Sequence, residues 1–343
     1  ILALAGCRPA AAIEATHPQP TATTIATVTA SPSTVPPTPA AIDARPTVPP
    51  PPSPTPLGTA EHPADMTPEP VGGTPAATPT PPPPTFTPPP PPPILAGEHL
   101  FLKRPVPADG PTWTDKAYPY GSTRGGTLPI HHGVEFAVET GTPVVAVAPG
   151  TVVVAGDDST FAYGPQTSYY GNLVVVELAG SSVSVYVLYG HLSEVAVVVG
   201  QTVATGDILG LSGSSGVADG PHLHLEVRVG ENSFAATRNP LLWLEPLPET
   251  GVVAGRVVGA SGQLLHEAPV YLQRLDAPAP YTATTSYAAG GPNADGALGE
   301  NFAVDDVVPG FYQVIIDAGS RRFTNDLWVY PDRVNWVEIT VGP

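Results

Sequence analysis

The sequence predicts an all-β protein that follows a long segment rich in proline and threonine. From residue 119 onward, short valine-rich runs alternate apolar and polar positions and stop at turns that contain glycine. That alternation has the period of a β-strand and lacks the period of a helix. The composition before residue 94 is different, because 29 of the 48 prolines lie within residues 1–93. We therefore expect β domains behind a segment without regular structure.

The chain begins with an apolar run that ends at its single cysteine, Cys7. Residues 1–7 read ILALAGC and resemble the lipobox of bacterial lipoproteins. Because the run starts at Ile1 without an initiator methionine or a basic segment, we expect this signal to be truncated. The resemblance implies that Cys7 carries a lipid, and that the protein is extracytoplasmic and lipid-anchored to the bacterial membrane.

Residues 8–94 are expected to form a disordered linker rich in proline and threonine. Their composition cannot bury enough apolar surface to offset the entropy of ordering the chain. Runs such as PPPP and PPPPPP favour the polyproline II conformation, which rises about 3.1 Å per residue, so the tether could reach more than about 200 Å.

The rest of the chain is expected to divide into three segments: a lead-in of residues 95–118, a first β domain of residues 119–247 and a second β domain of residues 250–343. The formal charge of −17, with only 13 lysine and arginine residues, argues against binding to nucleic acid or to anionic lipid headgroups. We expect a monomer whose acidity contributes to solubility.

Three short clusters of histidine and glutamate in the first β domain have the composition of a catalytic zinc site. They are His131 with Glu135, His191 alone, and His222 with His224. A zinc hydrolase needs three ligands of this kind and an open position for water. It also needs side chains that take and return the proton of that water. Five such groups are sufficient to build the site.

The spacing of the clusters indicates how they could meet. His222 and His224 are one residue apart in the alternating segment HLHLEVRV, so both imidazoles are expected on one face of a strand, with Leu223 in the core. Gly133 is expected to let the backbone bend so that the side chains on either side of it turn inward. Taken alone, an H-x-H pair fits a solvated polar face equally well. The other two clusters favour the metal site.

Five segments of the first β domain match the pattern of a known family. They are HHGVEF at 131–136, GTPVVAVAPGTV at 141–152, YGHLS at 189–193, VGQTVATGDILGLSGSSG at 199–216 and GPHLHLEV at 220–227. On these segments, residues 131–228 resemble the lysostaphin-type (LytM-like) zinc metallopeptidases, which cut peptide bonds in bacterial peptidoglycan. The resemblance implies a mostly antiparallel sheet folded around a groove, with zinc at the floor of the groove.

The resemblance also implies a role for each clustered residue. His131, Glu135 and His224 match the zinc ligands, whereas His191 and His222 match the histidines that bind the zinc-bound water and stabilise the transition state. The family usually has aspartate at the position of Glu135. Glutamate is a good zinc ligand, but its extra methylene moves the carboxylate by roughly 1.3–1.5 Å. The side chain must therefore fold, or its strand must shift.

The second β domain resembles the carboxypeptidase regulatory-like (transthyretin-like) β-sandwich. The resemblance rests on a V-x-G-x-V-x-G opening, an A-P-V-Y-L step and a V-x-P-G-x-Y-x-V turn. His266 stands alone there, and no catalytic cluster surrounds it. We expect the domain to act in spacing, stabilising or binding.

Together these features predict a membrane-tethered zinc metalloendopeptidase whose substrate is the peptide cross-link of peptidoglycan. The main alternative is a catalytically weak or inactive module that uses the same groove to bind the cell wall or to activate another hydrolase. A third is a lipoprotein whose C-terminal sandwich binds carbohydrate or protein. The retained ligand-type residues favour the enzyme.

Overall fold

Strands make up the secondary structure of the computed structural model, which describes residues 86–279 and 281–342. Within those residues there is no α-helix, and the helical elements are two 3-10 turns, Phe234–Ala236 and Pro240–Leu242. The all-β prediction is therefore confirmed. Cys7 and most of the predicted linker lie outside the described residues.

The first sheet follows from the valine-rich runs of the first β domain. It contains nine strands: β1 (Val134–Phe136), β2 (Pro143–Val145), β3 (Gly150–Asp157), β4 (Asn172–Leu178), β5 (Val185–Val195), β6 (Thr202–Val203), β7 (Ile208–Ser212), β8 (Leu223–Val229) and β9 (Thr237–Arg238). Their order is β1-β8-β5-β4-β3-β6, with β7 on β5, β2 on β7 and β9 on β8. Every pair in this sheet is antiparallel, as the family resemblance implied.

Both faces of the central strands are buried. In β4, Val174 and Val176 belong to the main hydrophobic core, whereas Leu173 and Val175 belong to a smaller cluster with Tyr170. This division follows from the strand period, because successive side chains point to opposite faces of a sheet. Strand β4, the neighbour of the site strand β5, is therefore held from both sides.

The second β domain forms two further sheets. Its strands are β10 (Gly251–Gly259), β11 (Pro269–Arg274), β12 (Thr282–Thr285), β13 (Phe302–Val307), β14 (Gly310–Ala318), β15 (Arg321–Val329) and β16 (Val334–Val341). One sheet has the order β13-β10-β16 and the other β12-β11-β14-β15. Only the β10–β16 pair is parallel within these two sheets. A separate apolar cluster takes side chains from both sheets, so the predicted sandwich is confirmed.

The two β domains share buried contacts. The main core includes Val252 and Ala303 of the sandwich together with Leu102 of the lead-in. The described residues all belong to one compact unit. The boundary between the two β domains remains a prediction.

A buried ionic cluster fastens the lead-in to the sandwich. Arg104 donates to Asp305 at 3.3 Å and to Asp306 at 2.6 Å, and the hydroxyl of Thr114 donates to Asp305 at 2.9 Å. The ammonium group of Lys116 also contacts Asp305. Burial would raise the pKa of Asp305, but the adjacent cations of Lys116 and Arg104 lower it, so this carboxylate is ionised. The segment that leads into the first β domain is thus anchored on the second.

The last residues of the predicted linker lie against the sandwich. The hydroxyl of Tyr330 donates to the carbonyl of Pro89 at 2.7 Å, and Arg333 donates to the carbonyl of Pro92 at 2.5 Å. The ring of Phe86 packs against Phe311. In the part of the chain that the structure describes, no helix has the length and apolar character needed to span a membrane.

Candidate metal centre and active site

The fold brings the three predicted clusters together. His131, Glu135, His191, His222 and His224 all line one groove with a volume of about 220 Å³. Within it, His131, Glu135 and His224 each offer a ligand-type atom, and these atoms lie within 4.8 Å of one another. Residues separated by more than 90 positions in the chain thus converge on one point.

Strand register explains why they converge. In the antiparallel β1–β8 pair, Glu135 lies directly opposite His224. In the β5–β8 pair, Gly190 lies opposite His224, so His191 follows at the adjacent position. Side chains of directly opposed residues on one face are about 4.5–5.5 Å apart at Cβ. The position of His224 on the strand between β1 and β5 therefore determines the centre of the site.

Hydrogen bonds fix the tautomers of the two candidate histidine ligands. Nδ1 of His131 lies 2.6 Å from the carbonyl oxygen of Tyr118, and Nε2 of His224 lies 3.2 Å from Oε1 of Glu226. Because a carbonyl and an ionised carboxylate can only accept, both ring nitrogens must carry the proton. Nε2 of His131 and Nδ1 of His224 are then both acceptors, and they face each other at 3.3 Å.

Three acceptor atoms thus lie close together, and no hydrogen-bond donor of the described residues lies between them: Nε2 of His131, Nδ1 of His224 and Oε1 of Glu135. Oε1 of Glu135 lies 3.6 Å from Nε2 of His131. In tetrahedral coordination with bonds of 2.0–2.2 Å, two zinc ligands are about 3.3–3.6 Å apart. The separations of His131 from His224 and from Glu135 match that range. A divalent cation would fit these three ligand atoms, because its attraction for their lone pairs would replace the repulsion among them.

The electrostatics of the buried groups favour the same protonation. Burial lowers the pKa of His131 well below its ordinary value, and the neighbouring His224 lowers it further. Burial would raise the pKa of Glu226, but Arg228 and a hydrogen bond from His224 lower it to about 2. His131 is therefore neutral and Glu226 ionised at neutral pH, as the tautomers require.

His191 and His222 lie beside this group and present free ring nitrogens. Nδ1 of His191 donates to the carbonyl of Ser215 at 2.8 Å, and Nδ1 of His222 donates to the carbonyl of Gly220 at 2.9 Å. Their ring centroids are 4.8 Å apart. In both residues Nε2 is left as an acceptor, and that of His222 is buried 3.8 Å from Oε1 of Glu135, without a hydrogen-bond partner among the described residues.

The backbone at His191 is unusual. Its φ is +60°, in the left-handed region that non-glycine residues rarely adopt. Burial, with His224 and His222 nearby, lowers its pKa to about 3, so the ring is neutral at neutral pH. A buried neutral histidine held in a strained conformation next to ligand-type residues is typical of a functional group.

Comparison with known proteins identifies this region. The model of peptidase family M23 matches residues 129–236, which include all five site residues. The chain contains a peptidase family M23 domain. The chain is 34% identical to lysostaphin of Staphylococcus staphylolyticus over 146 residues, which are 39% of this chain and 28% of lysostaphin.

Other relatives match over similar lengths. The peptidoglycan DD-endopeptidase ShyA of Vibrio cholerae is 37% identical over 99 residues, 29% of this chain and 20% of ShyA. The glycyl-glycine endopeptidase ALE-1 of Staphylococcus capitis is 35% identical over 130 residues, 37% of this chain and 32% of ALE-1. The chain spans less than a third of each of these relatives. The solved catalytic domain of lysostaphin from Staphylococcus simulans is 32% identical, with a TM-score of 0.30 over 38% of this chain and 86% of that domain.

Gly133 has a different role in the M23 domain from the one expected. Its φ is not in the positive region, so it does not provide an unusual bend. Instead, a Cβ on this residue would lie 2.7 Å from Nε2 of His224 and 2.5 Å from the carbonyl oxygen of Leu225. Glycine is needed here because the ring of His224 occupies the space of a side chain.

The lead-in braces the candidate ligands of the M23 domain from outside the matched residues. The ring of Tyr118 stacks on His131 with centroids 4.2 Å apart, and its carbonyl accepts from the same histidine. The backbone N–H of Asp115 donates to the carbonyl of Glu135 at 2.8 Å. Just after the lead-in, the carbonyl of Ser122 accepts from the backbone N–H of His131 at 3.0 Å. These backbone hydrogen bonds could not be predicted from the sequence, because the lead-in carries no motif.

Sequence reasoning also missed the buried network behind His224. Glu226 accepts from His224, from the hydroxyl of Tyr170 and from Arg228, whose Nη2 lies 2.7 Å away. Asp158 holds the loop that carries Tyr170, since its carboxylate accepts three backbone N–H groups of residues 169–171. A signal was present, because Glu226 and Arg228 continue the alternation of His222 and His224 and so share their face of the strand.

We predict that Glu226→Gln weakens both the fold and the metal site of the M23 domain. Arg228 would be left as a buried charge without its anion, which typically lowers the free energy of unfolding by about 3–5 kcal/mol. Loss of the carboxylate that orients His224 should lower zinc affinity by about 10–100-fold. Urea unfolding of metal-free protein and zinc titration would measure the two effects.

A double variant separates the two effects. Glu226→Gln with Arg228→Met removes the unpaired cation, so unfolding stability should recover while zinc affinity stays low. Recovery of both quantities would show that Glu226 serves the fold alone.

Proposed function

We propose that this protein is a zinc metalloendopeptidase that hydrolyses peptide bonds in the cross-links of bacterial peptidoglycan. The observation that carries the proposal is the convergence of three acceptor atoms, Nε2 of His131, Oε1 of Glu135 and Nδ1 of His224, with no donor between them. The relatives ShyA, a peptidoglycan DD-endopeptidase, and ALE-1, a glycyl-glycine endopeptidase, support peptidoglycan as the substrate.

His131, Glu135 and His224 would hold the metal. The set of two histidines and one glutamate is a known catalytic zinc set, and three protein ligands leave a position open for water. A bound zinc ion supplies Lewis acidity to the scissile carbonyl and lowers the pKa of the attacking water. Glu135 retains the charge of the usual aspartate, and its atoms lie within the same ligand cluster.

His222 and His191 would carry the proton. Because Nδ1 of each ring donates to a backbone carbonyl, Nε2 is the basic atom, and both rings line the groove. His222 is the better placed to accept the proton of the attacking water, since its Nε2 is near Glu135. After the proton has passed to the pair of histidines, His191 and His222, His191 would stabilise the oxyanion. The proton would then pass to the leaving amine.

The proposal includes a location and an architecture. We infer an extracytoplasmic monomer that is anchored by a lipid on Cys7 and reaches its substrate through the linker of residues 8–94. We also infer that the C-terminal sandwich is of the transthyretin-like kind. The contacts of Arg104, Thr114 and Lys116 with Asp305 support a stabilising role for this sandwich.

The test is release of new amino termini from purified cross-linked peptidoglycan by the full chain. We expect release by the zinc-loaded protein, loss after chelation and recovery on adding zinc. A protein that binds peptidoglycan and carries zinc but releases no amino termini would instead be the binding or activating module.

A further inference from the structure

One tryptophan in the described part of the chain is strongly exposed. Trp113 in the lead-in has 56% of its surface accessible, whereas Trp243 is buried and Trp328 and Trp336 are partly buried. Scattered exposed apolar residues are common on protein surfaces. The surroundings of Trp113 therefore decide whether its exposure has a function.

The backbone around Trp113 is held in place on both sides. The carbonyl of Thr112 accepts from Arg104 at 3.3 Å, and the buried hydroxyl of Thr114 donates to Asp305. The N–H of Asp115 donates to the carbonyl of Glu135, a candidate zinc ligand. An exposed indole on a segment fixed at the neighbouring residues is preorganised, so binding to it would require little ordering of the protein.

The indole lines a groove that is separate from the groove of the candidate metal centre. Trp113 lines an open cavity of about 1020 Å³ together with Asp109, Glu139 and Thr142. Residues 137–142 on its other wall directly follow β1, the strand of Glu135. A smaller depression is lined by residues 137–140 and by Pro221, the neighbour of His222. These depressions are next to the groove of the metal centre in the chain, since Asp115, Glu135 and His222 line that groove and stand within two residues of Trp113, Ala137 and Pro221.

The chemistry of this groove fits a sugar ring. An indole face offers a large apolar platform with a polar N–H at its edge. Asp109 and Glu139 can accept hydrogen bonds from hydroxyl or amide groups, and the hydroxyl of Thr142 can donate or accept. No lysine or arginine is among the described residues that line the groove, which disfavours an anionic polymer.

We propose that Trp113 and the groove along residues 137–142 form a glycan subsite, which holds an uncharged N-acetylated sugar of the strand that bears the cleaved peptide. The inference rests on the proposed peptidoglycan substrate, in which the cross-linking peptide is attached to a glycan strand. Trp113 lies outside residues 129–236, which the M23 family matches, whereas residues 137–142 lie within them. It would direct the enzyme to peptide bonds that are still attached to glycan.

Equilibrium binding of a soluble N-acetylglucosamine tetramer to the full chain, freed of metal by chelation, tests the subsite without requiring turnover. Trp113→Ala should weaken binding by about tenfold, the scale of one aromatic contact, and Trp113→Phe should restore most of it. Tyr281→Ala is the matched control, because Tyr281 is 58% exposed on the sandwich and does not line this groove. We expect it to bind as tightly as the unmodified chain.

Three results would overturn the proposal. They are no binding of the tetramer by the unmodified chain, equal binding by Trp113→Ala, and weakened binding by Tyr281→Ala but not by Trp113→Ala. The last would move the glycan contact to the sandwich. None of them depends on peptidase activity, so failure of the proposed function would be recognised separately.

Kinetics on two substrates give a second readout. Trp113→Ala should raise KM for glycan-linked peptide by a larger factor than for the same peptide without sugar, while kcat changes by similar factors on both. An equal rise in KM on both substrates would mean that Trp113 contacts the peptide or only supports the fold, and would contradict the glycan subsite.

Discussion

Glu135→Ala is expected to abolish stoichiometric zinc binding, whereas Glu135→Asp is expected to retain it. The alanine variant loses both a negative charge and a donor atom that lies 3.6 Å from Nε2 of His131. The fall in affinity should therefore be far larger than the 10–100-fold typical of residues that only orient a ligand. Zinc content after dialysis and competition with a chelator of known affinity would measure it.

A neighbouring histidine provides the control for the metal site. His132 is next to a candidate ligand, but its Nδ1 is 2.8 Å from the hydroxyl of Thr237, away from the ligand cluster. His132→Gln should keep zinc, and His131→Ala should lose it. If Glu135→Ala binds zinc as tightly as the unmodified chain, Glu135 does not coordinate the metal.

The second large effect is on rate. His222→Ala should keep zinc but reduce the rate of peptide hydrolysis by about 10²–10⁴-fold, because it removes a positioned proton acceptor and leaves the three candidate ligands intact. His191→Ala should retain zinc and lose rate on a similar scale, since it removes the group proposed to stabilise the oxyanion.

The comparison is made at equal zinc content. Initial rates of amino-terminus release from peptidoglycan are measured for the unmodified chain and both variants, with His266→Ala as a control histidine in the sandwich. If the zinc-loaded variants are as fast as the unmodified chain, the two histidines have no part in the chemistry.

The strand period, the three clusters and the family resemblance together indicated which residues would form the candidate site. The alternation in residues 222–229 put His222 and His224 on one face, and the structure brings Glu135 opposite His224. The assignment of each residue as ligand or proton carrier remains a prediction. The tautomers support this assignment but could not be predicted, because they depend on partners such as Tyr118 that only the tertiary structure reveals.

Other features could not be predicted from local pattern. Tyr170 lies between β3 and β4, outside any strand, yet it is fully buried and donates to Glu226. The lead-in carries no motif, yet the backbone N–H of Asp115 donates to the carbonyl of Glu135. Such contacts depend on how distant segments pack, and neither periodicity nor spacing encodes them.

The sandwich also has closer links to the site than its sequence indicated. Asp305 of the sandwich contacts Thr114 and Lys116 of the lead-in. Asp115, which lies between them, donates its backbone N–H to the carbonyl of Glu135. The N–H of Ala288 donates to the carbonyl of Gly121, close to the backbone that pairs with His131. A spacing role alone would not need these bonds, so the sandwich stabilises the segment that supports the ligands.

The most direct test of the metal centre is an anomalous difference map collected at the zinc absorption edge from crystals of the full chain. We expect one peak within bonding distance of Nε2 of His131, a carboxylate oxygen of Glu135 and Nδ1 of His224. A zinc peak that contacts none of these atoms, or zinc-saturated crystals without a peak among them, would contradict it.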